Sequence, residues 1–196
     1  MQIRNINTIP MNQSRLFPRF SLASLLFILL IKSSVAQNVM DNQSKAVYIF
    51  DMAKYIDYGP GFKDSSVFKI GVLDKESELF WAMGNLARTR KTIQDKPVQL
   101  VVFRDEDKIL HTQVLFVNKA SGFNLNRIKS KLDGHQTMLI TEGFEFRESM
   151  INFIVVEGKP KFEANEALIE KAGMKVDELF LGLAVKTQED WEKLFV

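Results

Sequence analysis

The chain has 196 residues, no cysteine, 26 basic and 24 acidic side chains, and 46% hydrophobic residues. This length favours one compact domain, and the balance of apolar and charged residues excludes a disordered chain or a multi-span membrane protein. Because cysteine is absent, the chain has no disulfide, no cysteine-bearing zinc site, no iron–sulfur cluster and no cysteine nucleophile.

The N-terminal segment has the composition of a secretory signal peptide. Residues 1–36 carry four basic side chains and no acidic one. Within them, residues 20–31 form an uncharged, mostly apolar run that is shorter than the ~20 residues a bilayer-spanning helix needs. Small residues follow this run, which predicts cleavage between Ala36 and Gln37. An uncleaved N-terminal helix is the alternative, and translation could start at the first methionine or at Met11.

Removal of the signal peptide changes the charge of the protein. Residues 37–196 carry 22 basic and 24 acidic side chains, which gives a net charge of −2. Basic and acidic residues are interspersed along this region, so the sequence predicts no nucleic-acid partner. We expect an exported domain that has no stable membrane span once the signal is removed.

The first two thirds of the mature chain alternate between helical and strand patterns. Gly59-Pro60-Gly61 is expected to end the first helix. Strands joined by helical or helix-length connections favour a parallel sheet with helices on both faces. The predicted elements are a helix at 41–58, a strand at 68–73, a helix at 74–88, strands at 97–103 and 112–117, a helix at 124–132, and a strand at 137–141.

The pattern then changes to a hairpin. Residues 150–156 and 159–164 read as two strands joined by a two-residue turn. Pro160 places the return strand at a sheet edge. The predicted fold class is therefore α/β, a three-layer single domain with a mostly parallel sheet and a C-terminal antiparallel hairpin, flanked by helices.

Three helices are expected after the hairpin. Asn165 is the predicted N-cap of a helix over residues 166–172, which Gly173 ends. The remaining pattern predicts a helix over residues 176–184 and a last short helix over residues 187–195.

Motifs for catalysis or cofactor binding are missing from the sequence. No G-x-S-x-G motif occurs, and no glycine-rich phosphate loop follows the first strand. His111 and His135, the two histidines, read as strand-end and surface-loop residues. The acidic residues 105–107 lack the spacing of a calcium loop. The sequence therefore predicts no catalytic residue, no cofactor and no metal site, and a secreted hydrolase that uses a histidine ranks last.

Phe144 and Phe146 lie in a polar loop before the hairpin. Large aromatic side chains in a polar loop are difficult to bury, and exposed apolar side chains often mark interaction sites. Most aromatic residues of the mature chain are expected in the core, and if Phe144 and Phe146 are exposed, they are the candidates for a partner-binding surface.

Four segments resemble the YfiR family of secreted bacterial α/β proteins, over residues 45–184. They are KAVYIFDMAKYI in the first helix, FKIGVL in the first strand, KTIQDKPV before the second strand, and the hairpin with its following helix. The positions that match the family pattern are given a mainly structural role. They are Phe50, Tyr55, Asn152, Phe153, Phe162, Glu163, Asn165 and Gly173.

The resemblance implies a periplasmic regulator rather than an enzyme. The family's namesake restrains an inner-membrane diguanylate cyclase by binding its periplasmic part, and it can dimerise. The expected partner is therefore an inner-membrane cyclase or sensor histidine kinase, and a homodimer is also open. Redox control through cysteine, known in the namesake, cannot operate in a chain without cysteine. The alternative function is a small-molecule sensor or carrier that binds a solute at the strand ends.

Overall fold

The computed structural model describes residues 40–74 and 78–185. All of these residues belong to one compact unit, Asn38–Val196. The predicted signal peptide with its cleavage site and the predicted helix over residues 187–195 lie outside the described residues. Within the described ranges, no helix combines the length and the apolar character that crossing a bilayer requires.

The described chain alternates short strands with helices. Three single turns of 3₁₀-helix lie in the connections, at Glu106–Lys108, Lys119–Ser121 and Phe146–Glu148. The elements in chain order are α1 (Asn42–Met52), β1 (Ile56–Asp57), α2 (Pro60–Lys63), β2 (Phe68–Leu73), α3 (Glu78–Thr89), β3 (Thr92–Ile93), β4 (Lys96–Phe103), β5 (Val114–Asn118), α4 (Leu125–Leu132), β6 (Met138–Glu142), β7 (Ile151–Val156), β8 (Lys159–Ala164), α5 (Glu166–Lys171), β9 (Lys175–Val176) and α6 (Glu178–Leu181).

The main sheet has seven strands in the order β3-β4-β2-β5-β6-β7-β8. The five inner strands are parallel, whereas β3 and β8 pair antiparallel at the two edges. This arrangement confirms the predicted α/β fold class with its mostly parallel sheet and C-terminal hairpin.

Apolar side chains from both faces of the sheet form two separate cores. Ile70 and Val72 of β2 contribute to the larger core, which also contains the buried faces of α1, α3 and α5. Leu73 of the same strand contributes to the smaller core beneath α4. At Gly71, an added Cβ would lie 2.8 Å from a ring carbon of Phe103, so a larger residue here would require that ring to move. The helices therefore cover both faces, as in a three-layer domain.

The order in which the chain adds strands to the sheet reverses between the neighbouring parallel strands β2 and β5. The connection through α3 leads from β2 to β4 on one side, and the connection through α4 leads from β5 to β6 on the other. β2 and β5 stay paired up to Leu73 and Val117, and the connections that follow them diverge, which leaves a crevice beyond their carboxyl ends. This is the topological switch point, where open α/β sheets commonly bind ligands.

The first helix is shorter than the sequence predicts. Helix α1 ends at Met52 rather than near residue 58, and Ile56 and Asp57 form strand β1, which pairs with β9. The side-chain amide of Gln94 donates hydrogen bonds to the carbonyl oxygens of Ala53 at 3.0 Å and Ile56 at 2.7 Å. Because this donor comes from a distant turn, local periodicity could not predict where the helix ends.

The predicted helix over residues 176–184 is wrong in its first half. Lys175 and Val176 form strand β9, and only Glu178–Leu181 is helical. Asp177 caps this short helix by accepting a hydrogen bond from the Leu179 amide at 2.8 Å. The pairing of β9 with β1 is a long-range contact, so the local pattern indicated a helix where tertiary structure forms a strand.

The hairpin and the helix after it confirm the sequence prediction. Glu157 and Gly158 have φ values of 50° and 73°, which are typical of a two-residue type I′ turn. Pro160 lies in β8 at the sheet edge. Asn165 caps α5 by accepting a hydrogen bond from the Leu168 amide at 3.1 Å, and Gly173 follows the helix with φ of 75°.

Replacement of the N-cap residue tests this junction. We expect Asn165→Ala to lower the free energy of unfolding by about 1 kcal/mol, since the first turn of α5 loses its side-chain acceptor. Asn165→Asp keeps an acceptor and should retain most of the stability. Urea unfolding followed by circular dichroism measures both variants. An alanine variant as stable as the wild type would contradict the capping role.

Candidate functional site

The crevice at the switch point contains a buried ion pair. It has a volume of about 610 Å³ and lies between the start of α1 and the ends of β2 and β5. The Lys45 Nζ atom lies 2.5 Å from Glu142 Oε2, and the Lys45 residue is only 3% exposed. The side-chain amide of Asn118 donates to the same carboxylate oxygen at 2.7 Å. This pair joins α1 to the carboxyl end of β6.

Other polar groups of the crevice also contact one another. Asp41 accepts hydrogen bonds from the hydroxyl and the amide of Ser44, and these bonds lower the pKa of its carboxyl group. The side-chain amide of Asn42 donates a hydrogen bond to Glu78 Oε2 at 3.1 Å. Because these groups satisfy each other, the crevice is best explained as a structural junction between α1, α3 and the sheet.

A second buried polar cluster explains two of the family-motif positions. The side-chain amide of Asn152 donates to Glu163 Oε2 at 2.9 Å and to the carbonyl oxygen of Phe144 at 3.1 Å. The hydroxyl of Thr141 lies 3.0 Å from Asn152 Oδ1. These bonds link β6, β7 and β8 with the loop before β7. Asn152 and Glu163 therefore have contacts that hold the sheet together.

The aromatic motif positions pack in the larger core and along the edge of the sheet. Phe50, Phe153 and Phe162 are buried. The ring of Phe180 in α6 stacks on Phe162, with ring centroids 4.7 Å apart, and on Tyr55, with ring centroids 5.8 Å apart. This ring stack fastens α6 to the end of the domain.

The exposure expected of a partner surface at Phe144 and Phe146 is absent at Phe146 and only partial at Phe144. Phe146 is only 5% exposed, and Phe144 is half-buried against the smaller core. A 3₁₀ turn at Phe146–Glu148 folds the loop back onto the sheet. The polar composition of the loop therefore did not reveal that Phe146 is buried and that Phe144 packs on the smaller core.

A second cavity, larger than the crevice, lies at the opposite end of the sheet, at the amino ends of β5, β6 and β7. It has a volume of about 770 Å³, and we call it the amino-end cavity. Apolar side chains and charged side chains both line it. They include Phe62, Leu139, Met150 and Leu168 as well as Lys129, Asp133, Glu148 and Lys171. This size and this mixed lining are typical of pockets that bind small molecules.

The phenol of Tyr58 lines the amino-end cavity. Its hydroxyl oxygen is buried and has no hydrogen-bond partner within the described part of the chain. Burial raises the pKa of this hydroxyl, so the group is neutral and remains able to donate and accept hydrogen bonds. A buried hydroxyl without a partner costs about 1–3 kcal/mol. A polar ligand atom in the cavity would remove that cost.

The two histidines meet at the rim of the same cavity. Sequence analysis placed His111 at a strand end and His135 in a surface loop, and the structure confirms both positions. The two residues are 24 positions apart, yet their ring centroids lie 5.3 Å apart. Their juxtaposition depends on the parallel pairing of β5 with β6, which the positions of the histidines in the sequence do not show.

An apolar surface missed by sequence analysis surrounds α6. Leu179 is 80% exposed and Leu183 is 65% exposed, and the half-exposed ring of Tyr55 packs on the same short helix. We call these three residues the α6 surface. The sequence predicted Leu179 and Leu183 within a longer helix over residues 176–184. Their exposure was missed because the observed helix spans only Glu178–Leu181.

The fold defines an α/β domain whose mostly parallel sheet carries helices on both faces. A profile of the YfiR/HmsC-like family matches residues 42–185. The chain therefore belongs to the YfiR/HmsC-like family, whose members are known as periplasmic regulators of cyclic-di-GMP signalling rather than as catalysts.

A conserved domain protein from Vibrio cholerae has a similar solved structure, with a TM-score of 0.52 and 10% sequence identity. The match covers 77% of this chain and 61% of that protein, and at this identity it shows the fold alone. No curated protein sequence matches the chain.

The buried ion pair provides a test of the structural junction. We expect Lys45→Met alone to lower the free energy of unfolding by about 3–5 kcal/mol, because it leaves the Glu142 carboxylate buried without its cation. The double variant Lys45→Met with Glu142→Gln should recover a large part of that loss. Denaturant unfolding of the single and double variants measures the coupling. Equal stability of Lys45→Met and the wild type would contradict this role.

Proposed function

We propose that this protein is an exported regulator that binds the periplasmic part of an inner-membrane signalling protein and changes its output. The partner class is a diguanylate cyclase or a sensor histidine kinase. Membership of the YfiR/HmsC-like family supports the regulatory role, and the N-terminal pattern with its cleavage site between Ala36 and Gln37 supports export.

The observation that carries the proposal is the α6 surface. Leu179 and Leu183 project from a short helix, and large exposed apolar side chains clustered on one element indicate an interaction site. Tyr55 adds an aromatic side chain of the kind enriched in binding hot spots. The ring stack of Tyr55, Phe180 and Phe162 connects this surface to the core, so it presents a firmly held element to a partner.

Partner capture from detergent-solubilised membranes tests the proposal. The full chain is expressed in its native host, crosslinked and purified, and the recovered protein should begin at Gln37. We expect a membrane protein with a periplasmic region and a cyclase or histidine-kinase domain to be captured. The double variant Leu179→Glu with Leu183→Glu should weaken capture about 30-fold or more, which corresponds to the loss of hot-spot contacts of about 2 kcal/mol.

Leu110→Glu is the matched control, because Leu110 is 69% exposed and lies outside the α6 surface. It receives the same substitution and should retain capture. All variants should unfold at the temperature of the wild type, since exposed positions contribute little to stability. Equal capture by the double variant and the control would contradict the role of the α6 surface, and absence of any such membrane protein would contradict the partner class.

Solute binding in the amino-end cavity is a second candidate function, and the unpartnered hydroxyl of Tyr58 favours it. A solute that holds the domain in one conformation could control partner binding, so the two functions are compatible. The mixed lining fits a small molecule that has both an apolar part and a polar or charged group.

Tyr58→Phe separates solute binding from a structural role of the cavity. Without ligand, this variant should be as stable as the wild type or more stable, since it removes a buried hydroxyl without a partner. In a thermal-shift screen of polar metabolites, a true ligand at a hundred times its dissociation constant should stabilise the wild type by ~2.7 kcal/mol. The same compound should stabilise Tyr58→Phe less. A variant that is less stable without ligand would show that the hydroxyl has a structural partner.

A further inference from the structure

The histidine pair at the rim of the amino-end cavity has a geometry that sequence analysis did not anticipate. His111 precedes β5 and His135 precedes β6, and these strands are neighbours in the sheet. The amide of Met138 donates to the carbonyl oxygen of Gln113 at 2.8 Å, which joins the two strand entrances. The backbone therefore brings residues 111 and 135 to neighbouring positions at the amino ends of the two strands.

We propose that His111 and His135 bind a divalent transition-metal ion of the class that prefers imidazole, such as Zn²⁺ or Cu²⁺. The proposal goes beyond partner binding and uses a different part of the domain from the α6 surface.

The ring separation fits a shared ion. With metal–nitrogen bonds of 2.0–2.1 Å, two imidazoles in tetrahedral coordination have ring centroids about 5.2 Å apart. The observed separation of His111 and His135 is 5.3 Å. Both side chains are exposed, so rotation of each ring can direct one nitrogen toward the ion without moving the backbone.

The direction of the pKa shift of His111 also suits metal binding. Burial, together with the nearby His135 and Lys69, lowers the pKa of His111. Neutral imidazole is the form that binds metal, so His111 loses no proton when an ion binds near neutral pH. The cations of Lys69 and of Lys129 and Lys171 in the cavity lining oppose a bound cation, whereas Asp133 and Glu148 of the same lining favour one.

The site leaves coordination positions open. In the described ranges, no group of three or more histidine, cysteine, aspartate or glutamate side chains is arranged to hold a metal ion. An ion on the two imidazoles therefore keeps about two positions for water or for an oxygen or nitrogen atom of a solute in the cavity. Such a site is exchangeable and open to ligands, unlike a closed structural zinc site.

Calorimetric titration of the mature protein with Zn²⁺ tests the proposal. The protein must carry no polyhistidine tag. We expect one equivalent of Zn²⁺ to bind to the wild type, and His111→Ala and His135→Ala each to weaken binding about tenfold or more. Binding should weaken between about pH 7.5 and pH 5.5, since protons compete for imidazoles with a reference pKa of ~6.5. Excess Mg²⁺ should not compete, because it prefers oxygen ligands.

Spectroscopy of Cu²⁺ gives a readout that does not depend on affinity alone. Electron paramagnetic resonance should show coupling to two nitrogen nuclei in the wild type and to one in each single variant. Leu110→Ala is the control, since it alters an exposed neighbour of His111 and removes no ligand. Zn²⁺ affinity in both histidine variants equal to that of the wild type would overturn the proposal, as would identical nitrogen coupling in all proteins. His135→Asn replaces His135→Ala if the alanine variant fails to fold.

Discussion

The structure depends on the burial of β2 on both faces. This strand lies between β4 and β5 in the sheet, and its apolar side chains enter both cores. A strand with two buried faces requires cover on each side, which the helices α1 and α3 provide on one face and α4 on the other. Gly71 is part of this constraint, because the ring of Phe103 occupies the space that a side chain there would need. The separation of the crossovers to opposite faces creates the switch-point crevice.

The two ends of the sheet use polar groups differently. At the carboxyl end, Lys45, Glu142 and Asn118 satisfy one another and fasten α1 to the sheet. At the amino end, the hydroxyl of Tyr58 is buried without a partner among the described residues, beside an open cavity. Open α/β sheets commonly bind ligands at the carboxyl ends of their strands. Here that end is internally satisfied, and the features suited to ligands lie at the amino end.

The sequence predicted those elements whose signals are local. The hairpin turn at Glu157-Gly158, the cap at Asn165 and the apolar run of β2 are each encoded within a few residues, and all three are present. Prediction failed where a distant partner decides the structure. Helix α1 ends at Met52, and the side chain of Gln94, 38 or more positions further along the chain, binds the carbonyl oxygens of Ala53 and Ile56 that follow it.

The candidate site was less predictable than the fold. The proximity of His111 and His135 depends on strand order, and the burial of Phe146 depends on a 3₁₀ turn. Neither leaves a periodic pattern in the sequence. The α6 surface could not be found either, since a longer helix at that position would have had a face turned to the core.

The edges of the main sheet limit how copies of this domain can associate. Strand β8 presents Lys159 and Lys161 to solvent, Pro160 has no amide hydrogen to donate, and the amide of Val185 already donates to the carbonyl oxygen of Phe162 at 2.9 Å. The opposite edge, β3, has only two residues. Short edges, lysine and proline all discourage the joining of strands between molecules. The β8 edge therefore disfavours a continuous sheet across two copies, and self-association there would have to use side-chain contacts between surfaces. On the opposite side β3 pairs only with Lys96 and Pro97, so the remainder of β4 is the edge through which strands of two copies could join.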